Sequence, residues 1–439
     1  MSRLILNAVK IRVRSVVGSV AWNAKRSDMT STILTGSLGM ILLLAALSTN
    51  TFRSSKSEAS MVNSSKSFND TSVTDGSKGG TFAYVGTYTG PGKGDGIYIY
   101  RVDTSSGKLT HIDTATGIEN PTFLAIHPNK RFLYAIGEVG EFAGKPGGMV
   151  SSFAIDPDTA ALTMLNQQSS EGPGPCHISV DQTGRWALVA NYSGGSVTML
   201  PIADNGELGE ATDFIQHKDP STADGGQKAP RAHSITVDPS NRFAFAADLG
   251  LDKVMMYRMD LDNGKLIPNN PPWVKVEDGS GPRHFAFHPN GRFAYLINEH
   301  KNTFTTFAYD QKKGILTETQ TISTLPDDFD DKSYCADVHV AASGKFVYGS
   351  NRGYGTSSIA VFSVDQCSGA LNMVELEPTQ GDFPRNFAID PSGEFMYVEN
   401  QLGNNIVLFR IDPTLGKLSA TGDITEVPMP VCMKLVKLP

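Results

Sequence analysis

Only four cysteines occur in 439 residues, Cys176, Cys335, Cys367 and Cys432. They lie far apart, with no C-x-x-C pair and no histidine at zinc-ligand spacing, so neither a disulfide scaffold nor a zinc module is indicated. A basic excess is missing too. Lys and Arg total 38 against 45 Asp and Glu, a net charge of −7 with pI near 5.7, which argues against a broad nucleic-acid or anionic-membrane surface. There is no G-x-S-x-G elbow and no H-E-x-x-H. Lys93 after Gly92 is followed by Gly94 rather than Ser or Thr, so there is no P-loop. A nucleophilic serine and a dedicated nucleotide site are therefore not expected. What the chain does have is 40% apolar residues, 43 Gly and 24 Pro, the composition of a soluble protein rich in turns.

The front of the chain differs from the rest. Residues 1–28 hold six Lys and Arg against Asp28 alone, and an apolar stretch follows at 33–47. This is the charge order of a secretory signal. The stretch has 15 residues, with Gly36 and Gly39 inside, short of the roughly 20 needed to span a bilayer. Residues 1–50 are thus expected to be an export leader, making the protein periplasmic or extracellular, with no stable membrane partner once the leader is removed. Without that leader the cytoplasm is the alternative. Residues 51–80, mostly Ser, Asn, Lys and Thr, read as a flexible linker. The body without residues 1–28 carries a net charge of −12.

Residues 81–439 are one unit repeated. The segments NPTFLAIHPNKRFLYAIGE from Asn120, GPCHISVDQTGRWALVANY from Gly174, PRAHSITVDPSNRFAFAADLG from Pro230, GPRHFAFHPNGRFAYLINEH from Gly281 and FPRNFAIDPSGEFMYVENQ from Phe383 align, and CADVHVAASGKFVYGSNRG from Cys335 keeps the frame. Marker positions 121, 175, 230, 282, 336, 384 and 430 fall 46 to 55 residues apart, the spacing of propeller blades. Each unit has two alternating apolar runs around a Pro-x-Gly-Arg type turn, then two more runs, which predicts four strands. The first unit lacks its first strand, and the chain ends in Pro430-Val431-Cys432-Met433-Lys434. An all-β, seven-bladed β-propeller of four-stranded blades follows, its first blade closed by N- and C-terminal segments so that no sheet edge is free.

In a propeller the start of each first strand and the end of each second strand share one rim of the central channel. Symmetry about the turns pairs Arg283 with Glu299, His177 with Asn191, His233 with Asp248 and Asp337 with Asn351. Arg385, Asn386, Glu399 and Gln401 join this polar rim. An Arg opposite a Glu on a hairpin also reads as a structural ion pair, and Asp or Asn at hairpin ends often satisfies turn backbone.

The blocks YVGTYT, GPCHISVDQTGRWALVANYSGGSV, RAHSITVDPSNRFAFAADLGLDKV, GPRHFAFHPNGRFAYLINE, SNRGYGTSSIAVF and NQLGNNIVLFRID resemble the seven-bladed lactonase family. That family includes the propeller type of bacterial 6-phosphogluconolactonase and the fungal carboxymuconate cyclase. The resemblance covers about residues 81–436 and implies a catalytic set of His233, Arg283, Glu299 and Arg352. Two departures stand out: Asp337 where a glutamate is expected, and Glu399 in place of a small residue.

Opening a lactone needs a water deprotonated as it attacks, donors for the oxyanion and a proton for the leaving alkoxide. Glu299 or His233 suits the base, Arg283 or Arg352 the anion stabiliser, and Arg352 or Arg385 a grip on an anionic substrate group. His177, Asn191, Asp248, Arg385 and Gln401 are the expected substrate contacts, with no cofactor and no metal. A small lactone is the expected partner, and nucleic acid is not. A carboxymuconate lactonising cyclase and a non-catalytic binding propeller are the alternatives.

Overall fold

Each repeat alternates apolar with polar residues and breaks at turns carrying Pro or Gly, and in the computed structural model of the chain these runs are β-strands. The structure describes residues 79–218 and 229–439. The expected leader and all but the last two residues of the expected linker lie outside the described residues. Among the described residues there is no helix. Seven antiparallel four-stranded sheets form the blades, and a two-stranded ribbon, Glu141–Phe142 with Lys145–Pro146, sits in a loop of the second.

The innermost strands of blades one to seven are Pro430–Leu438, Phe123–Ile126, Pro175–Val180, Ala232–Val237, Pro282–Phe287, Ser333–Val340 and Pro384–Ile389. Each touches the innermost strand of the next blade all the way round. The first blade is closed as expected: Pro430–Leu438 runs antiparallel to Gly80–Thr87, with Val85 opposite Met433. The first blade thus has four strands like the others, and the innermost strand of each blade is a sheet edge facing the channel.

The turn residues explain why the hairpins form where they do. In blade three, Asp181 Oδ1 accepts the Trp186 N–H at 2.8 Å, and in blade four Asp238 Oδ1 accepts from Arg242 and Phe243, each at 2.8 Å. In blade five a histidine takes this place. His288 Nδ1 accepts from the Asn290 N–H, and Nε2 donates to the Gly344 carbonyl of blade six at 2.7 Å. Tyrosines on the second strands tie blade to blade in the same way. Tyr84, Tyr134, Tyr295, Tyr348 and Tyr397 donate to the carbonyls of Ala160, Gly206, Gly369, Gly416 and Gly107 in the blade that follows. The last of these closes the ring from blade seven to blade one. Gly107 has φ +78, and a Cβ there would fall 2.7 Å from the Phe395 ring, so only glycine fits this turn. Between blades the apolar faces pack into shared clusters, such as Phe245, Phe285 and Phe307 between blades four and five.

Register departs from the symmetry of the sequence. Asn191 lies opposite Pro175 rather than His177, Asp248 opposite Ala232 rather than His233, and Asn351 opposite Cys335 rather than Asp337. In blades three, four, five and seven a β-bulge inserts one residue just inside the first strand: Cys176, His233, Arg283 and Arg385. Bulges re-aim side chains, and these four sit at the channel mouth.

Candidate active site

Two rings of side chains meet at this mouth. One is the bulge ring, with Cys176, His233, Arg283 and Arg385. The other is one aligned position near the end of each second strand. Following the aligned segments 82–87, 132–137, 186–191, 243–248, 293–298, 346–351 and 395–400, it reads Tyr88, Glu138, Tyr192, Leu249, Glu299, Arg352 and Gln401, of which Arg352 still lies within its strand, Phe346–Gly353, opposite Tyr334. Tyr88, Glu138 and Tyr192 are absent from the expected set. Their signal was available, because they occupy the same place in their units as Glu299 and Arg352 do in theirs.

Glu299 is the electrostatic centre. Its Oε2 accepts from Arg283 Nε at 2.9 Å and from Arg352 Nη2 at 2.9 Å. Burial would raise the pKa of this carboxyl, but Arg352, Arg283 and Arg385 together outweigh burial and hold it below the ordinary value. Arg283 is 1% exposed and also donates to the Ala336 carbonyl. Arg352, also buried, donates to the Cys335 carbonyl at 3.0 Å and lies 5.1 Å from the Phe383 ring centroid. Both guanidiniums are thus fixed by several partners.

Arg385 is different. It is half-buried, its guanidinium lies 5.8 Å from the Tyr88 ring centroid, and it makes no hydrogen bond or ion pair among the described residues. Burial opposes its charge, but Tyr88, Glu138 and Glu299 overcome that and raise its pKa. Glu138 is held from one side only: Oε2 accepts from the Tyr88 hydroxyl at 2.9 Å and the Thr122 hydroxyl at 2.7 Å.

His233 is buried beneath these groups, 5.3 Å from the Tyr192 ring and 5.4 Å from His284. Burial first, then Arg283, His284, Arg385 and Arg352, push its pKa well below 6.5, so it is a neutral imidazole at neutral pH. The Cys176 thiol donates to the His233 carbonyl at 3.2 Å, and burial raises its pKa. A buried thiol of this kind is not a nucleophile.

The structure separates Asn191, Asp248 and His177 from this cluster. Asn191 is fully buried, donating to the Ser170 carbonyl and Ser196 Oγ at 3.1 Å each. Asp248 is also fully buried. It accepts from His217 Nδ1 at 2.7 Å and from the backbone N–H of Arg231 and Leu251. Asn298, Asn351 and Asn400 hold the equivalent place in their blades and bond across the following hairpin in the same way. His177 lies one residue below the mouth, 4.4 Å from the Phe123 ring and 5.5 Å from His284. It lines a separate channel cavity of about 170 Å³ with His284, Asp337, His339, Asn386 and Lys434. There Asp337 accepts from His284 Nδ1 at 2.6 Å, from His339 Nε2 at 2.9 Å and from Asn386. Gln401 stands in the mouth ring, with its amide oxygen buried and unpartnered among the described residues. Glu399 is fully buried below it with both oxygens unpartnered there, and burial, then Asp337, push its pKa well above 4.5. Among the described residues no three His, Cys, Asp or Glu side chains are arranged to hold a metal ion.

The chain's similarities agree with this architecture. It is 38% identical over 353 residues to a 6-phosphogluconolactonase of Bacillus subtilis (strain 168), covering 80% of this chain and 97% of the relative. It is 35% identical over 337 residues to a 6-phosphogluconolactonase of Formosa agariphila, covering 76% and 94%. The periplasmic gluconolactonase of Pseudomonas aeruginosa superposes with a TM-score of 0.76 at 33% identity, covering 82% of this chain and 99% of that one. Residues 82–435 match the family described as lactonase, 7-bladed beta-propeller. This chain belongs to the seven-bladed β-propeller lactonase family.

Proposed function

We propose that this protein hydrolyses a sugar-acid lactone at the channel mouth built around Glu299. The observation that carries this reading is the convergence of Arg283, Arg352 and Arg385 on a site with one doubly clamped carboxylate, Glu299. Attack of water on a lactone carbonyl moves negative charge onto its oxygen, and preorganised cationic donors in a water-poor site lower that barrier most. Arg385, free of hydrogen bonds to the protein among the described residues, is the donor for the developing oxyanion. Arg283 and Arg352 are fixed by Glu299 and set the positive field around it. Neutral His233 orients the substrate or its water by hydrogen bonding.

The phosphorylated substrate, 6-phosphogluconolactone, is the first choice, since the relatives from B. subtilis and F. agariphila carry that activity in their names. One observation favours a second reading. Residues 1–50 have the charge order of an export leader, and the P. aeruginosa neighbour is a periplasmic gluconolactonase. Phosphorylated sugars are cytosolic, so export would make an unphosphorylated aldonolactone the substrate. Product analysis by proton NMR tests the reaction class. Appearance of the open hydroxy acid faster than in buffer supports hydrolysis, and lactone formed from a carboxylated muconate would replace it with the cyclase.

A further inference from the structure

Glu138 and Glu299 occupy the same place in blades two and five, yet their surroundings are opposite. A general base must carry a free lone pair within reach of the attacking water, and gaining a proton must not be opposed by the charges around it. Glu299 fails on the second count, because Oε2 is bound by two guanidiniums and protonation would strand both. His233 fails as well: becoming an imidazolium would add a positive charge beside Arg283, Arg385 and Arg352.

Glu138 meets the first condition, and on the second it is opposed by one guanidinium, Arg385, that makes no ion pair with it, where Glu299 is opposed by two that do. Its Oε2 is oriented by two neutral donors, Tyr88 and Thr122, and Oε1 makes no hydrogen bond among the described residues. The carboxylate is not an ion-pair partner of Arg385 within 4.0 Å, though the two groups interact electrostatically, as both do with Cys176. A carboxylate with a free oxygen and a guanidinium without hydrogen bonds among the described residues thus both adjoin Tyr88 without pairing with each other, the two kinds of group that a base and an oxyanion donor require.

We infer that Glu138 is the general base of this site, with Arg385 as its oxyanion partner and Glu299 as the anchor of Arg283 and Arg352. The inference rests on the lactonase reading. Water attacks the lactone carbonyl carbon while its proton passes to Glu138 Oε1. The carbonyl π pair moves onto the oxygen facing Arg385, then returns as the ring C–O bond breaks. Glu138 gives the proton to the leaving alkoxide, and the product acid ionises to solvent. Glu138 bonds with Tyr88 and Thr122 and interacts electrostatically with Tyr88, Cys176 and the cation Arg385.

The test compares the full chain with E138Q and E299Q on glucono-1,5-lactone and its 6-phosphate, corrected for spontaneous hydrolysis. A glutamine oxygen can still accept from Tyr88 and Thr122, so E138Q should keep the wild-type melting profile. Its kcat should fall about 10²-fold or more, with KM little changed. E299Q should instead raise KM. If E138Q does not fold, E138D carries the test, with a kcat at least tenfold down and KM little changed in support. Wild-type turnover with either Glu138 variant within threefold overturns this assignment alone. A wild type that opens neither lactone overturns the lactonase reading with it.

Discussion

Arg283 Nε and Glu299 Oε2 lie 2.9 Å apart, across a bulge that takes Arg283 out of the regular ladder and turns it toward the mouth. With Arg352 on the same oxygen, the carboxylate is the counter-charge that lets two buried guanidiniums share one rim. Removing it leaves both uncompensated, and breaking a buried pair costs about 3–5 kcal/mol. Glu299→Ala should therefore lower unfolding stability by roughly 3 kcal/mol or more. Urea unfolding followed by fluorescence reads this directly, and an unchanged midpoint would show the clamp to be energetically idle.

Arg385 gives the contrasting case. Since its guanidinium makes no hydrogen bond within the protein among the described residues, Arg385→Ala should leave the melting temperature nearly unchanged while kcat/KM falls about 10²-fold, the cost of one oxyanion donor. Lysine should rescue only part of that, because a point charge cannot reproduce a planar fork.

Glu399 predicts an inverted pH effect. Its folded pKa is raised by burial and by Asp337, so above about pH 4.5 the folded state holds a proton that the unfolded state releases. Stability contributed at this position is present below the unfolded pKa and falls as pH rises toward the folded value. Glu399→Gln should raise Tm by several degrees at pH 8, at roughly 2–4 °C per kcal/mol, and change it little at pH 4. Scanning calorimetry at the two pH values checks this, and equal shifts at both would contradict it.

Tyr397 closes the ring through the Gly107 carbonyl at 2.8 Å. Tyr397→Phe keeps the apolar packing and leaves that buried carbonyl unpaired, a loss of about 1–3 kcal/mol. Thermal unfolding should show the loss without any change in kcat, because the bond lies far along the blade from the mouth residues.

Blade number, strand count and closure were legible because the repeat is long and its turns carry Pro, Gly, Asp or His at fixed offsets, as at Asp181 and His288. The Arg283–Glu299 pair was legible for the same reason. Register at the mouth was not: a bulge adds a residue without changing the alternation that follows, so His177, Asn191 and Asp248 read as rim groups. In the structure Asn191 and Asp248 close hairpins, and His177 faces the lower cavity. Glu138 and Tyr88 lie inside the aligned blocks, at the end of NPTFLAIHPNKRFLYAIGE and within YVGTYT, but the resemblance implied only His233, Arg283, Glu299 and Arg352, and the equivalence of the block ends shows only when they are compared position by position.

Lactone opening at the guanidinium-lined mouth is tested by pH-stat turnover of glucono-1,5-lactone and 6-phosphogluconolactone by the purified chain, with spontaneous hydrolysis subtracted. Turnover should stand well above background on at least one of them and be abolished in a variant lacking both Arg283 and Arg385. Background rates on both lactones, or full activity in that variant, would contradict it.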